Sequence, residues 1–244
     1  MKMKIDINCD MGESLEALNV GSDLALMPFI SSINIACGFH AGDTLVMQKT
    51  IENAKEFNLK IGAHPSFDDR QNFGRLAMNI PEDQLKSILV YQIGALKTMV
   101  EVNGGYLNHV KPHGALYNMA AKDKNIARVI AESIFSIDKE LILYGLSGSF
   151  SISEANRIGL KTNSEVFADR AYLSNGELCP RSREGAVLKN VEMVKKQVKE
   201  ICETGMITTI DKTTLIVNAE TICIHSDTHN ALELARAIFS IVKK

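Results

Sequence analysis

The chain lacks the features that indicate a membrane, secreted or nucleic-acid-binding protein. None of its apolar runs approaches the roughly 18 residues that a membrane-spanning helix needs. Its 27 basic and 29 acidic residues leave a formal net charge of −2, which argues against a nucleic-acid or acidic-membrane partner. The five cysteines are odd in number and form no CxxC pair, and strand-like sequence begins at once, leaving no room for a signal peptide. We therefore expect a reduced, cytoplasmic protein.

Common nucleotide-binding and hydrolase motifs are also absent. The chain has no Gly-Lys pair, hence no G-x-x-x-x-G-K-[ST] loop, and neither a G-x-G-x-x-G nor a G-x-S-x-G motif. Arg181 and Arg183, in a loop ahead of a predicted helix, could bind a phosphate through their side chains and the helix N-terminus. A solvated basic loop explains the pair equally well.

What the chain contains is a regular alternation of strand-like and helix-like segments. Strands are predicted at 3–9, 33–37, 59–63, 106–111, 140–144, 162–167 and 222–227, with a short extra strand at 214–217. Helices are predicted at 23–30, 44–57, 81–102, 123–135, 149–158, 185–203 and 230–242, and Asp43 is expected to cap the second of them. Such alternation predicts parallel strands with crossover helices, in a barrel or in a doubly wound sheet.

Polar residues stand at most of the predicted strand ends, which favours the barrel, since all strand ends of a barrel face one mouth. We predict a single (β/α)-barrel domain over residues 1–244, a length that such barrels routinely reach. The clearest strand end is the central segment KPHGALYN at 111–118, where Pro112 and Gly114 suit a strand that stops and turns.

The residues expected at the mouth are Asn8, Asp10, Glu13, His40, Asp43, His64, Asp68, Lys111, His113, Glu165, Asp169, Arg170, His225 and Asp227. Any one of them could be a capping or buried structural group, but the convergence of the set on one rim favours a functional site.

An amide or lactam hydrolase would use such groups as base, oxyanion donor and acid. Asp10 or Asp227 with a histidine could supply the base, Lys111 could stabilise the developing negative charge, and His113 could protonate the leaving nitrogen. The catalytic candidates are Asp10, Glu13, His64, Lys111, His113 and Asp227; the candidates for binding substrate or phosphate are Asn8, His40, Asp43, Glu165, Arg170, Arg181, Arg183 and His225. Asp10, His40 and His64 also have the residue types of a metal site, although their spacing is not diagnostic.

Seven segments in order resemble the LamB/YcsF family. They are DINCDMGES at 6–14, NIACGFHAGD at 34–43, GAHPSF at 62–67, NFGR at 72–75, VKPHGALYN at 110–118, EVFADRAY at 165–172 and PRSREGAV at 180–187. The chain departs from the usual family pattern at Leu15-Glu16, Leu76, Ser226 and His229. Ser226 adds bulk beside the site, where the family usually has glycine.

The resemblance implies a seven-stranded (β/α) barrel of the glycoside hydrolase/deacetylase type. It implies ATP-dependent opening of 5-oxo-L-proline to L-glutamate, with ATP accompanied by Mg²⁺ and with 5-oxoprolinase subunits B and C as partners. Two other readings stay open at this point. One is a stand-alone metal-dependent deacetylase or amide hydrolase, and the other is a non-catalytic subunit that binds 5-oxoproline for its partners.

Overall fold

Seven parallel strands close into a ring in the computed structural model, which describes residues 5–14, 20–225 and 230–243. The ring consists of β1 (Asp6–Met11), β2 (Ser32–Ala36), β3 (Lys60–His64), β4 (Leu107–Val110), β5 (Ile142–Leu146), β6 (Lys161–Phe167) and β9 (Thr221–Ile224). The last of these lies between β6 and β1 and pairs with both. The predicted seven-stranded barrel is thereby confirmed.

Helices connect the strands and cover the ring. They are α1 (Val20–Leu26) with a 3-10 turn at Met27–Phe29, α2 (Thr44–Glu56), α3 (Glu82–Val102), α4 (Gly114–Lys122), α5 (Lys124–Ile137), α6 (Phe150–Arg157), α7 (Val191–Thr204) and α8 (Ala231–Val242). Asp43 accepts hydrogen bonds from the first backbone amides of α2, as predicted, and Asp123 and Asn190 do the same for α5 and α7. In the part of the chain that the structure describes, no helix is long and apolar enough to cross a membrane.

The strand β1 explains why the inside of this barrel is polar. All six of its residues are buried, so both faces of the strand are covered. Its alternation places Asn8 and Asp10 on one face, and both contact Lys111 across the ring. Parallel barrels are usually filled by branched aliphatic side chains. Here the filling is polar, and each buried polar group needs a partner inside the ring.

The helix predicted to start at residue 185 begins only at Val191. The preceding segment returns to the end of β6: Ala171 N donates to Ala186 O (2.9 Å), and Leu188 N donates to Asp169 O (2.7 Å). These backbone groups are therefore committed to antiparallel pairing before Asn190 caps the helix. The 180–183 loop therefore does not lead directly into α7, because this paired segment separates Arg183 from Val191 in the chain.

Three further segments differ from the sequence prediction. Gly114–Lys122 forms the helix α4, ahead of the helix predicted from residue 123. The expected extra strand exists as β8 (Thr214–Ile216), but it pairs antiparallel with an unpredicted strand, β7 (Met206–Thr208), and this hairpin lies outside the ring. The helix expected over 23–30 is shorter and stops at Leu26, followed by the 3-10 turn with Pro28 at its start. Proline lacks a backbone donor and cannot continue an α-helix at that point.

Candidate active site

A buried lysine lies inside the barrel, bound by several acceptors. Lys111 Nζ lies 3.0 Å from Asp10 Oδ1 and 2.9 Å from Glu165 Oε1. It also lies 3.1 Å from Asn8 Oδ1 and 3.0 Å from Cys223 Sγ. An ammonium group has three N–H donors, so these four acceptors occupy all of them. Lys111 thus links β1, β6 and β9 from its position just after β4.

The charges in this network stabilise one another. Burial alone would raise the pKa of Asp10, but the neighbouring His64 and Lys111 hold it well below its usual value. Burial likewise would lower the pKa of Lys111, while the Asp10 and Glu165 carboxylates hold it well above its usual value. The Asp10 carboxylate and the Lys111 ammonium group are therefore both ionised at neutral pH.

Deeper in the ring, an asparagine and a histidine orient the network. Asn34 Nδ2 donates to Asn8 Oδ1 (2.8 Å) and to Asp10 Oδ1 (2.7 Å). His109 Nε2 lies 2.7 Å from Asn34 Oδ1, and its ring stacks on Tyr144 with centroids 4.0 Å apart. Burial holds the pKa of His109 well below its usual value, so this histidine stays neutral. It therefore orients the Asn34 amide without adding a charge to the network.

Glu13 and three histidines form a second cluster at one side of the site. Glu13 Oε1 lies 3.1 Å from His40 Nε2, 3.1 Å from His113 Nδ1 and 3.8 Å from His64 Nε2. His113 Nδ1 and His64 Nε2 are 2.9 Å apart, and His64 Nε2 is 3.3 Å from Asp10 Oδ2. The two clusters therefore meet at the Asp10 carboxylate.

Backbone carbonyls fix the orientation of two of these rings. His64 Nδ1 lies 2.6 Å from the carbonyl oxygen of Lys111, and His113 Nε2 lies 2.9 Å from that of Phe73. A carbonyl can only accept, so the nitrogen that faces it carries the proton. The rings of His40 and His113 stack in parallel, with centroids 3.8 Å apart and planes 6° apart.

The glycine of the Pro-His-Gly turn allows this arrangement. Gly114 has φ of +55°, and a Cβ there would lie 2.5 Å from the carbonyl oxygen of Gly74. Ala115 N donates to the same carbonyl oxygen over 2.9 Å. Only glycine fits such a close approach at positive φ, and the approach brings His113 to the Phe73 carbonyl. The KPHG and NFGR segments are thus two sides of one contact.

A histidine and a carboxylate form a pair on the opposite side of the ring. His225 Nδ1 lies 3.0 Å and 2.9 Å from the two carboxylate oxygens of Asp169. The carboxylate is buried, and the histidine ring stacks near Phe167 with centroids 5.7 Å apart. Burial would lower the pKa of His225, but Asp169 and then Asp10 raise it above its usual value. The carboxylate orients the ring so that Nε2 is the nitrogen available for proton transfer.

A cavity of about 360 Å³ lies over these groups. Asp10, Glu13, His64, Lys111, His113, Arg170 and His225 all line it, as do Tyr117 and Arg181. Burial and the neighbouring Glu165 carboxylate raise the pKa of Tyr117 well above its usual value, so its hydroxyl stays a proton donor. A volume of this size suits a small ligand.

The structure separates several predicted site residues from the cavity. Asp43 serves as the cap of α2, and Arg183 forms an exposed ion pair with Asp211 at 2.9 Å; neither lines the cavity. Arg170 lines it, but its guanidinium donates to the carbonyl oxygens of Cys179 (2.7 Å) and Ala186. Asn8 and Glu165 lie inside the ring, where they hold Lys111. Asp227, Ser226 and His229 lie outside the described residues.

Two residues received no role from the sequence and gain one from the geometry. Asp169 was expected at the mouth, but its partner His225 lies 56 positions later in the chain, just after β9. The sequence alone does not show that β9 pairs with β6. Tyr117 lies within the KPHGALYN segment, one helical turn after His113, which directs both side chains to one side. The spacing between His113 and Tyr117 is the sequence feature that could have identified Tyr117 as a site residue.

A closed parallel barrel with ionisable groups converging at the carboxyl ends of its strands defines a (β/α)-barrel protein with an enzyme-like site. The family model for the LamB/YcsF family matches residues 5–244, and the chain belongs to that family.

Similar proteins agree with this assignment. The chain is 47% identical, over 97% of its own length and 94% of the relative, to a protein of Staphylococcus carnosus (strain TM300) named as the A subunit of 5-oxoprolinase. The solved lactam utilization protein of Thermus thermophilus superposes with a TM-score of 0.92 at 38% identity, over 99% of this chain and 96% of that one. The Xyl-CE4 domain of a xylanase from the hindgut metagenome of Trinervitermes trinervoides shares the fold alone (TM-score 0.50, 9% identity, 98% and 82% coverage).

Proposed function

We propose that this chain is the A subunit of an ATP-dependent 5-oxoprolinase, which opens the lactam ring of 5-oxo-L-proline to give L-glutamate. The observation that carries the proposal is the 47% identity, over 97% of the chain, to a protein that bears the name of that subunit. The proposal includes 5-oxoprolinase subunits B and C as partners, Mg²⁺ as the ion accompanying ATP, and a cytoplasmic location, where ATP is available.

The basic residues of the cavity support a substrate with negative charges. Arg75, Lys122 and Arg181 line it at its outer part. Arg181 lies close enough to Asp169 and His225 to lower the pKa of both side chains. A carboxylate or a phosphate held by Arg181 would therefore sit beside the His225–Asp169 pair.

The lactam is a resonance-stabilised amide and a poor electrophile. ATP supplies a phosphoryl group that would activate the lactam oxygen. The reaction as a whole consumes 5-oxoproline, ATP and two water molecules, and it yields glutamate, ADP and inorganic phosphate. His225, oriented by Asp169, accepts the proton of the attacking water. Tyr117 donates a hydrogen bond to the oxygen on which negative charge develops.

Lys111 has a different role from the one that its residue type indicates. An oxyanion donor needs a free N–H, and the donors of Lys111 are taken by Asn8, Asp10, Glu165 and Cys223. Its ammonium instead keeps two carboxylates ionised and in place at the base of the cavity. The electrophilic contribution thus falls to groups that face the cavity, of which Tyr117 is one.

The test is glutamate release from 5-oxoproline by the purified chain, alone and with subunits B and C, with ATP present or omitted. We expect glutamate only when ATP and both partners are present. His225→Asn should lower kcat roughly 10²- to 10⁴-fold, as for the loss of a general base. Arg183→Gln, outside the cavity, is the matched control and should leave kcat unchanged.

The other outcomes separate the alternatives. Hydrolysis of N-acetylated substrates without ATP would replace the proposal by a stand-alone deacetylase. Normal turnover by complexes containing His225→Asn and Tyr117→Phe chains would point to a subunit that only binds the substrate. Absence of glutamate in every combination would refute the lactam assignment for this chain.

A further inference from the structure

The facing nitrogens of His64 and His113 present an unusual contact. Because His64 Nδ1 donates to the Lys111 carbonyl and His113 Nε2 donates to the Phe73 carbonyl, the first proton of each ring is already placed. The remaining nitrogens, His64 Nε2 and His113 Nδ1, then carry lone pairs, yet they lie only 2.9 Å apart. Two nitrogen lone pairs at hydrogen-bond distance repel each other unless a proton or a metal ion lies between them.

A carboxylate completes the group. Glu13 Oε1 lies 3.1 Å from His113 Nδ1 and 3.8 Å from His64 Nε2. Metal–ligand bonds of about 2.0–2.2 Å place adjacent ligand atoms roughly 3 to 3.5 Å apart, and the three observed separations lie around that range. Carbonyl groups that receive the second imidazole N–H, as here, are the usual outer partners of metal-binding histidines.

His40 belongs to the surroundings of this group and not to its ligands. Its ring lies parallel to that of His113, with centroids 3.8 Å apart. An ion bound in the plane of one ring would lie far out of the plane of the other, so the two rings cannot share one ion. Burial lowers the pKa of His40 to about 3, so the ring is neutral, and its Nε2 donates to Glu13 Oε1 over 3.1 Å.

The charges of the two clusters around Lys111 and Glu13 also favour a divalent cation. The Asp10 and Glu13 carboxylates lie 3.3 Å and 3.8 Å from His64 Nε2, so two acidic groups adjoin the histidine nitrogens. Burying acidic groups without a counter-charge is unfavourable.

We propose that Glu13, His64 and His113 bind one divalent transition-metal ion, with Asp10 beside it and an open position facing the cavity. Two imidazole nitrogens and one carboxylate favour Zn²⁺ or Co²⁺ over Mg²⁺, which prefers oxygen ligands. The open position would accept a water molecule or a substrate oxygen. This site differs from the Asp10, His40 and His64 set that the sequence offered, and its existence does not depend on the lactam reaction.

A neighbouring group of metal-ligating residues is unsuited to the same ion. Asp10, Cys223 and His225 also have ligand atoms close together. However, the Lys111 ammonium lies 3.0 Å from Cys223 Sγ, and burial raises the pKa of that thiol well above its usual value. A protonated thiol beside an ammonium group is a poor ligand for a cation.

The experiment is calorimetric titration of the chelator-treated, full-length chain with Zn²⁺ and, separately, with Mg²⁺. We expect one equivalent of Zn²⁺ to bind and Mg²⁺ to compete weakly. His64→Ala and His113→Ala should each weaken Zn²⁺ binding more than about 100-fold. His40→Phe, which keeps the ring stack but removes the donor to Glu13, should weaken it roughly 10- to 100-fold. His225→Gln is the control and should bind normally.

X-ray absorption of the Zn²⁺-loaded wild-type chain makes the test independent of how the variants fold. Imidazole and carboxylate neighbours with no sulfur are expected. A sulfur neighbour, or loss of binding in His225→Gln, would assign the ion to the Cys223 group and overturn the proposal. Absence of Zn²⁺ binding by the wild-type chain would refute it outright and leave a shared proton as the cation between the two histidines.

Discussion

Individual side chains inside the ring combine structural and chemical roles. The Lys111 ammonium contacts residues of three strands, so its loss would leave two buried carboxylates without their counter-charge. The Asp169 carboxylate similarly sets the properties of His225 from outside the cavity lining. Changes at these residues should therefore appear both in stability and in protonation.

Replacement of Lys111 by methionine should lower the free energy of unfolding by about 3–5 kcal/mol, the usual cost of breaking a buried ion pair from one side. Lys161→Met is the control, because Lys161 pairs with Glu140 at 2.6 Å on the exposed surface, and such pairs contribute about 1 kcal/mol or less. Urea denaturation of both variants measures the difference. Equal losses would mean that the buried network contributes little.

Replacement of Asp169 by asparagine should lower the pKa of His225. Burial and the Arg181 charge lower that pKa, whereas the Asp169 and Asp10 carboxylates raise it. Removing the Asp169 charge removes one of the two groups that raise the pKa, so the pKa should fall. NMR titration of the His225 ring in the isolated chain checks this: its midpoint should move to lower pH. An unchanged midpoint would show that Asp169 only positions the ring.

The convergence of Asp10, His64, Lys111 and His113 could be predicted, because parallel strands of a barrel bring their carboxyl ends to one rim. The role of each residue could not. Lys111 looked like a free oxyanion donor until its four acceptors were placed, and these come from β1, β6 and β9. The pairing of His225 with Asp169 likewise depends on β9 lying beside β6.

At the scale of strands and helices, close contacts inside the ring restrict which residues are possible. Gly62 of β3 faces the His109 ring so closely that a Cβ would overlap it. Gly94, in the middle of α3, has no neighbouring atom within 4 Å of where a Cβ would lie. The two glycines therefore offer a matched comparison.

Gly62→Ala should destabilise the protein by roughly 1–3 kcal/mol through overpacking. Gly94→Ala should be neutral or should stabilise it by up to about 1 kcal/mol, because alanine has the higher helix propensity. Thermal and urea unfolding of both variants test the pair. A neutral Gly62→Ala would mean that His109 can move without cost.

The contact between α1 and the end of β1 should make stability depend on pH. Asp23 Oδ2 accepts a hydrogen bond from Gly12 N (2.9 Å), and burial raises the pKa of Asp23 to about 6. Between the unfolded value near 4 and about pH 6 the folded chain binds the extra proton, so this group lowers stability as pH rises.

Asp23→Asn retains the acceptor and removes the titration. Relative to wild type, its free energy of unfolding should rise between pH 4 and pH 7, by at most about 3 kcal/mol. Urea unfolding at several pH values measures this, with the exposed Glu56→Gln as a control for charge removal. Parallel pH profiles for wild type and Asp23→Asn would contradict the expectation.

The type of most elements followed from local patterns, whereas two details depended on tertiary contacts. The cap at Asp43 was predictable because aspartate before a helix accepts its first amides. The start of α7 was not, because the backbone groups of residues 186 and 188 pair with the end of β6. The antiparallel pairing of β8 with β7 likewise could not be predicted from local patterns.

The ring as a whole should unfold in one step. Every ring strand has two neighbours, and β9 joins β6 to β1, so no strand can leave without exposing the edges of two others. Urea unfolding followed by near-UV and far-UV circular dichroism should therefore give coincident transitions. Separate transitions would contradict the prediction of a single domain over residues 1–244.

Closure by β9 also has a consequence during synthesis. His225 and Cys223 follow Asp169, Lys111 and Asp10 in the sequence, so they are synthesised after these partners. While β9 is still inside the ribosome, β1 and β6 both have open edges, and the carboxylates of the interior face water. A nascent chain therefore lacks the His225–Asp169 pair, and its two sheet edges stay open, until the last strand of the ring is in place.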